Sequence, residues 1–304
     1  MWQKCNYFWL VVAVALFQSC QETELGKDLP YEGDRLVLYS ELSPDKAVTL
    51  RLNQTYPPTG KFTVKQNLAD ATVQLFENGA FKEQLTYLDS GNYTAKSKPR
   101  VGFSYSFQVS SMGFPNASTQ PVTVPQIVTN AKAVLSKDSI ASTNLGNIAR
   151  RLAIEWEDIE SVPNDYLVII EGRYQGQYLS ISGFNIGKDS EVEDGCSFAR
   201  RLQRYIFRDI CFPSQRFNIS FGVETRGFLQ DRNLPPGAAR KDVDEYRVSI
   251  ANVSNSYFRF LQDELQPTDA LLAFQLPKSR FSNVKNGYGI VLAANTTFFS
   301  LKAK

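Results

Sequence analysis

The sequence predicts an all-β protein: an N-terminal immunoglobulin-like β-sandwich followed by a β-rich C-terminal domain with one short helix. Aromatic residues make up 12% of the 304 residues, with 21 Phe and 14 Tyr, which suits pleated, half-buried surfaces better than helices. Apolar and polar residues alternate with period two, most clearly where Phe103, Tyr105, Phe107 and Val109 interleave with Ser104, Ser106 and Gln108. Gly, Pro and Asn-Gly punctuation recurs at the short intervals expected of strands joined by tight turns.

The sandwich is expected over 31–126. Leu36-Val37-Leu38-Tyr39 starts the first strand. Val48, Leu50 and Leu52 alternate with Thr49 and Arg51 in a second, which Tyr56-Pro57-Pro58-Thr59-Gly60 ends. The run 71–76 leads into Glu77-Asn78-Gly79, and Asn-Gly is the strongest short hairpin signal because a type I′ turn needs two positive φ angles. The return strand is expected over 81–88, and Asp89-Ser90-Gly91-Asn92 turns the chain again into Tyr93-Thr94-Ala95. The strand 103–109 stops at Met112-Gly113-Phe114-Pro115, and 120–124 supplies the last strand. About seven short strands in roughly a hundred residues fit a sandwich of this kind. A Cys-Trp-Cys core is missing, so antibody-type kinship is not implied.

Pro125 and the polar stretch 136–147 mark a boundary zone, and the C-terminal domain is expected over 127–304. Its strands are read at 152–156, 217–224 and 246–253, with a hairpin of 166–174 and 177–184 about Gln175-Gly176. The segment 230–242, holding Pro235-Pro236-Gly237, reads as a long exposed loop. Ser254 or Asn255 caps the helix, Tyr257, Leu261 and Leu265 share one face, and Pro267 terminates it. Asn286-Gly287, between Val284 and Tyr288, predicts a second hairpin.

The N-terminus carries a targeting signal. Lys4 precedes an unbroken apolar run over 7–17, and Phe17-Gln18-Ser19-Cys20 then places a cysteine after a small residue. This predicts a signal peptide over 1–19 and acylation of Cys20, since the run falls short of the ~20 residues that span a bilayer. Residues 20–30 are polar and acidic, a flexible tether. The mature chain of about 285 residues is therefore expected to be anchored to a membrane rather than threaded through it.

Cysteine use fits export. Cys5 leaves with the signal and Cys20 takes lipid, so Cys196 and Cys211 remain. In an oxidising compartment they form either a disulfide or two separate buried thiols, and a disulfide across this loop would contribute about 3 kcal/mol. Peptide mapping under non-reducing conditions is expected to show Cys196 linked to Cys211; two free thiols would exclude the bridge.

There is no histidine, which rules out Ser-His-Asp and Cys-His nucleophilic systems and histidine zinc sites. The net charge of +2 implies no broad field for nucleic acid. Two acidic clusters stand out: Glu155, Glu157, Asp158 and Glu160, and Asp242, Asp244 and Glu245. A glycosidase pair needs carboxylates about 5–10 Å apart across a cleft, whereas Glu155 and Glu157 flank Trp156 on the solvent side of one strand. The second cluster lacks the glycine-punctuated loop of a calcium site. Arg200, Arg201, Arg204 and Arg208, mixed with Phe198, Tyr205 and Phe207, read as a face with its own ion pairs, or as a contact for a partner or acidic glycans. Tyr174, Tyr178 and Phe228 read as core or as sugar- or partner-facing aromatics. No nucleotide fingerprint occurs. No catalytic residue, metal or cofactor is therefore expected, and binding residues are not singled out.

A series of segments resembles one known family along nearly the whole mature length. They are Cys20 with its acidic follow-on, Tyr31-Glu32-Gly33 leading into Leu36-Val37-Leu38-Tyr39-Ser40-Glu41-Leu42-Ser43, and Ala71-Thr72-Val73. Pro163-Asn164-Asp165-Tyr166, Val253-Ser254-Asn255-Ser256-Tyr257-Phe258-Arg259-Phe260-Leu261 and Phe281-Ser282-Asn283-Val284-Lys285-Asn286-Gly287-Tyr288-Gly289 follow in order. The family is a Bacteroidota outer-membrane lipoprotein family known as domain of unknown function 4249; Leu167 departs from it where a second Tyr is usual. It has no established catalytic residues to carry over. The resemblance implies a non-enzymatic, surface-exposed lipoprotein that accompanies a TonB-dependent transporter, binding a nutrient or covering the barrel's mouth. The alternative is a structural subunit of an outer-membrane assembly or secretion complex.

Overall fold

The structure, a computed structural model, describes residues 33–56, 68–141, 148–158, 163–174, 176–181, 183–185, 197–199, 204–209, 216–227, 241–265 and 281–303. The signal peptide, Cys20 and its tether, Cys196, Cys211, Arg200, Arg201, Glu160, Phe228 and Pro235-Pro236-Gly237 lie outside them. The described chain is all-β apart from the helix Asn255–Leu265.

A ten-stranded sheet forms its spine. In order, it runs Ser197–Ala199, Arg204–Arg208, Asp165–Tyr174, Glu245–Val253, Tyr288–Lys302, Leu36–Leu42, Thr49–Gln54, Asn92–Thr94 and Thr86–Asp89, with Gln177–Ser180 also paired to Asp165–Tyr174. The strand Tyr288–Lys302 joins its two halves. Its first part pairs parallel with Leu36–Leu42, from Val37 opposite Tyr288 to Leu42 opposite Ala293. The remainder pairs antiparallel with Glu245–Val253, from Ala294 opposite Val253 to Lys302 opposite Glu245.

A second sheet holds Val284–Lys285, Ala117–Thr119, Ser104–Ser110, Thr72–Glu77 and Ala80–Gln84, with Val122–Thr123 on Ser104–Ser110. The period-two alternation of Leu36, Leu38, Leu50 and Leu52 turns one face of the spine toward Val73, Leu75, Tyr105, Phe107 and Val109, and Val291 and Ala293 complete this core. A core built mainly by 36–124 is thus closed by residues from the far end of the chain. Glu77, at the end of its strand, takes the Arg100 guanidinium, the Tyr105 hydroxyl at 2.7 Å and Lys82 at 3.4 Å. Arg100 first, then Tyr105, draw its carboxyl down to about 2. The stabilisation this gives is present above the ordinary value of 4.5 and is lost as pH falls through about 2. Melting curves of Glu77→Gln should therefore lie below the wild type at neutral pH and converge with it toward pH 2.

The third sheet runs Thr129–Ala141, Ile148–Glu157, Arg216–Glu224 and Gly183–Asn185. Its Leu152, Ile154, Trp156, Phe217 and Phe221 pack against Tyr166, Val168, Ile170, Tyr246, Val248 and Ile250 of the spine. The run from Tyr166 to Ile170 is apolar at every position because both faces of its strand are covered. Leu167, with Ala251, Val253 and Ala294, meets Phe258 and Leu261 of the helix on the opposite face.

Several expected elements differ. The segment 81–88 is not one strand: Ala80–Gln84 stays with Thr72–Glu77, and Thr86–Asp89 crosses to the spine around Leu85, whose N–H donates to the Val73 carbonyl at 2.8 Å. Likewise 177–184 divides, Gln177–Ser180 pairing with Asp165–Tyr174 and Gly183–Asn185 with Arg216–Glu224. The polar stretch 136–147 is strand as far as Ala141, since an exposed edge tolerates polar residues. Lys241 and Asp242, expected in a loop, pair with Arg226 and Gly227. Asn78-Gly79 makes its hairpin with positive φ at both residues, 50° and 81°. Asn286-Gly287 does not: φ is positive at Asn286 and Gly289 but not at Gly287, and the flanking strands lie in different sheets. It is a bend that carries the chain from one sheet to the other.

Candidate functional site

A cleft of about 530 Å³ opens where the segment 121–126 meets the end of the spine. One side is the segment Pro121, Thr123, Pro125 and Gln126, whose Val122 and Val124 turn into the N-terminal core; the other is polar, with Asn164, Asp165, Arg208 and Asn252. Each polar group is placed by the elements beneath it. Asn164 precedes and Asp165 begins the strand Asp165–Tyr174, Asn252 lies next to the end of its neighbour Glu245–Val253, and Arg208 ends Arg204–Arg208. All therefore gather at one edge, although far apart in sequence. Asn295 Nδ2 ties the segment 121–126 to the spine by donating to the Pro125 carbonyl at 3.1 Å.

The polar wall is largely buried, with Asn252 1%, Asp165 6% and Asn164 8% exposed. Asn252 Nδ2 donates to Asn164 Oδ1 at 2.9 Å, and the Asn164 N–H donates to Asp209 Oδ2 at 2.6 Å. Arg208 Nε donates to Asp165 Oδ1 at 3.0 Å, while its guanidinium carbon lies 4.3 Å from the centre of the Phe258 ring. Burial raises the Asp165 carboxyl above its usual range, and Arg208 opposes the shift without cancelling it. The part of stability linked to this group is consequently greatest at low pH and diminishes as the buried carboxyl ionises.

Ser254 caps the helix as expected, its Oγ accepting from the Tyr257 N–H at 3.4 Å and also from the Ala293 N–H at 3.1 Å. Asn283 clamps the same strand: its Oδ1 accepts from the Val291 N–H at 2.9 Å, and its Nδ2 donates to the Val291 carbonyl at 2.8 Å and to Ser256 Oγ at 3.2 Å. Three of the segments that carry the family resemblance, 163–166, 253–261 and 281–289, thus converge on this one place.

The residues singled out from the sequence fall elsewhere, with one exception. Glu155 and Glu157 lie on the outer face beside buried Trp156, paired with Lys132 at 2.8 Å and Arg216 at 2.7 Å. Asp158 accepts from the Tyr166 hydroxyl. Glu245 pairs with Arg173 at 2.8 Å, and among the described residues no three His, Cys, Asp or Glu side chains gather as a metal site. Tyr174 and Tyr205 are core residues, and the Arg247 guanidinium covers the Tyr178 ring at 4.1 Å. Arg208 is the exception: it leaves the arginine cluster for the cleft. No sequence pattern singles out Asn164, Asp165, Asn252 and Asn283 as functional, although two of the resemblance segments, 163–166 and 281–289, contain all but Asn252.

The family model described as "Domain of unknown function (DUF4249)" matches residues 22–299. The chain belongs to that family. No curated protein matches it.

Proposed function

We propose that this member of the family is a lipid-anchored outer-membrane protein, facing the cell exterior, that serves a TonB-dependent transporter as a non-enzymatic accessory or binding subunit. The observation that carries the reading is the run ending in Phe17-Gln18-Ser19-Cys20, with the family match beginning just beyond it at residue 22. An acyl chain on Cys20 confines the protein to the plane of the membrane, so weak contacts with a barrel suffice at the resulting effective concentration. Bacteroidota origin belongs to this proposal, as does an immunoglobulin-like assignment for the N-terminal sandwich. The polar cleft supports binding over catalysis: its groups are amides, hydroxyls and an Asp–Arg pair, arranged to hold a ligand.

The test is a gentle detergent pull-down of the tagged native protein with partners identified by mass spectrometry. A stoichiometric TonB-dependent barrel is expected. Recovery of a multi-subunit assembly or secretion complex in its place would make the protein a structural subunit.

A further inference from the structure

Arg208 is held from two sides and open on a third. Asp165 Oδ1 fixes Nε at 3.0 Å, and the Phe258 ring supports one face of the guanidinium at 4.3 Å. The two terminal nitrogens make no hydrogen bond among the described residues, and the side chain keeps 35% of its exposure while lining the cleft. A guanidinium oriented in this way presents a planar, two-pronged donor, the geometry that matches a carboxylate.

The surroundings narrow the choice of anion. Asp165 already offsets the charge of Arg208, and Asp209 lies close by on the Asn164 N–H. Two carboxylates so near disfavour a doubly charged phosphate and leave a singly charged, planar anion as the better match. The hydroxyls of Ser254 and Ser256, which also line the cleft, offer neutral hydrogen-bonding groups to the rest of a ligand. Opposite them, Pro121 and Pro125 offer apolar contact. Apolar walls with a few convergent polar groups characterise small-molecule sites, and the cleft's volume falls in their usual range of about 300–1,000 Å³.

We propose that this cleft binds a small organic carboxylate, seated on the outer nitrogens of Arg208. The inference gives a ligand class to the binding-subunit reading and rests on that reading for its biological setting. A peptide C-terminus and a sugar acid both present the required group.

The experiment is calorimetric titration of the full mature chain in detergent with two acid–neutral pairs: N-acetyl-dialanine against its C-terminal amide, and glucuronate against glucose. At least one acid is expected to bind, with its neutral counterpart about tenfold weaker or worse, and the acid that binds identifies the source. Arg208→Lys keeps the charge but loses the fork and should weaken that acid by about tenfold; Arg208→Gln should abolish binding, with thermal melting of each variant verifying its fold. Binding of neither acid, or equal binding of acid and neutral partner, overturns the proposal, and that contrast needs no variant. Neither result depends on the barrel pull-down, so the two readings fail separately.

Discussion

Gly289→Ala is expected to destabilise the protein by about 3 kcal/mol or more, lowering Tm by roughly 5–10 °C. Gly289 has φ +112°, a conformation that L side chains rarely adopt. An added Cβ would lie 2.0 Å from the Leu38 carbonyl oxygen and 2.7 Å from the Leu38 nitrogen, so the backbones must separate. Leu38 is opposite Gly289 in the parallel pairing of Leu36–Leu42 with Tyr288–Lys302 and is fully buried. The contact at risk is the one by which the end of the chain closes the N-terminal core. Gly79→Ala provides the contrast: its φ is +81° but nothing lies within 4 Å of the added Cβ, so the loss should be only about 1 kcal/mol. Equal effects at the two positions would show that closure by Tyr288–Lys302 does not depend on close backbone approach.

Trp156→Ala is expected to cost about 3–5 kcal/mol. The ring is fully buried, stacks on Phe217 at 4.7 Å with an interplanar angle of 4°, and meets Tyr166 edge-on at 5.6 Å. Removing it leaves a cavity between the third sheet and the spine. Its Nε1 has no hydrogen-bond partner among the described residues, so Trp156→Phe forfeits volume without breaking a hydrogen bond and should recover much of the loss. Chemical denaturation of the two variants measures the difference. If Phe is as damaging as Ala, the energetics of this core do not rest on ring packing.

What the sequence made legible was local. The Ser254 cap, the helix face of Tyr257 and Leu261, the alternation from Ser104 to Ser110 and the Asn78-Gly79 hairpin each depend on residues a few positions apart. What it concealed depends on sheet assignment. Asn286-Gly287 and Asn78-Gly79 are the same dipeptide, yet at the former the two sides join different sheets, which no short-range pattern encodes. The divisions at 81–88 and 177–184 have the same cause. The cleft was concealed for a related reason: Arg208 meets Asp165 only because two strand ends coincide, and in the sequence it is one arginine among several. Asn164 and Asp165 stood inside a segment noted for its resemblance, but a lone Asn-Asp pair reads equally well as a turn.

The proposed anchoring of the protein to a membrane through Cys20 underlies both its proposed transporter role and the high effective concentration at the barrel. The most direct measurement is fractionation of cells expressing wild type and Cys20→Ala, with mass determination of the mature N-terminus. An acylated Cys20 is expected in membrane-bound wild-type protein, with Cys20→Ala released into the soluble fraction. Full membrane retention of Cys20→Ala, or an unmodified N-terminus on the native protein, would contradict that anchoring.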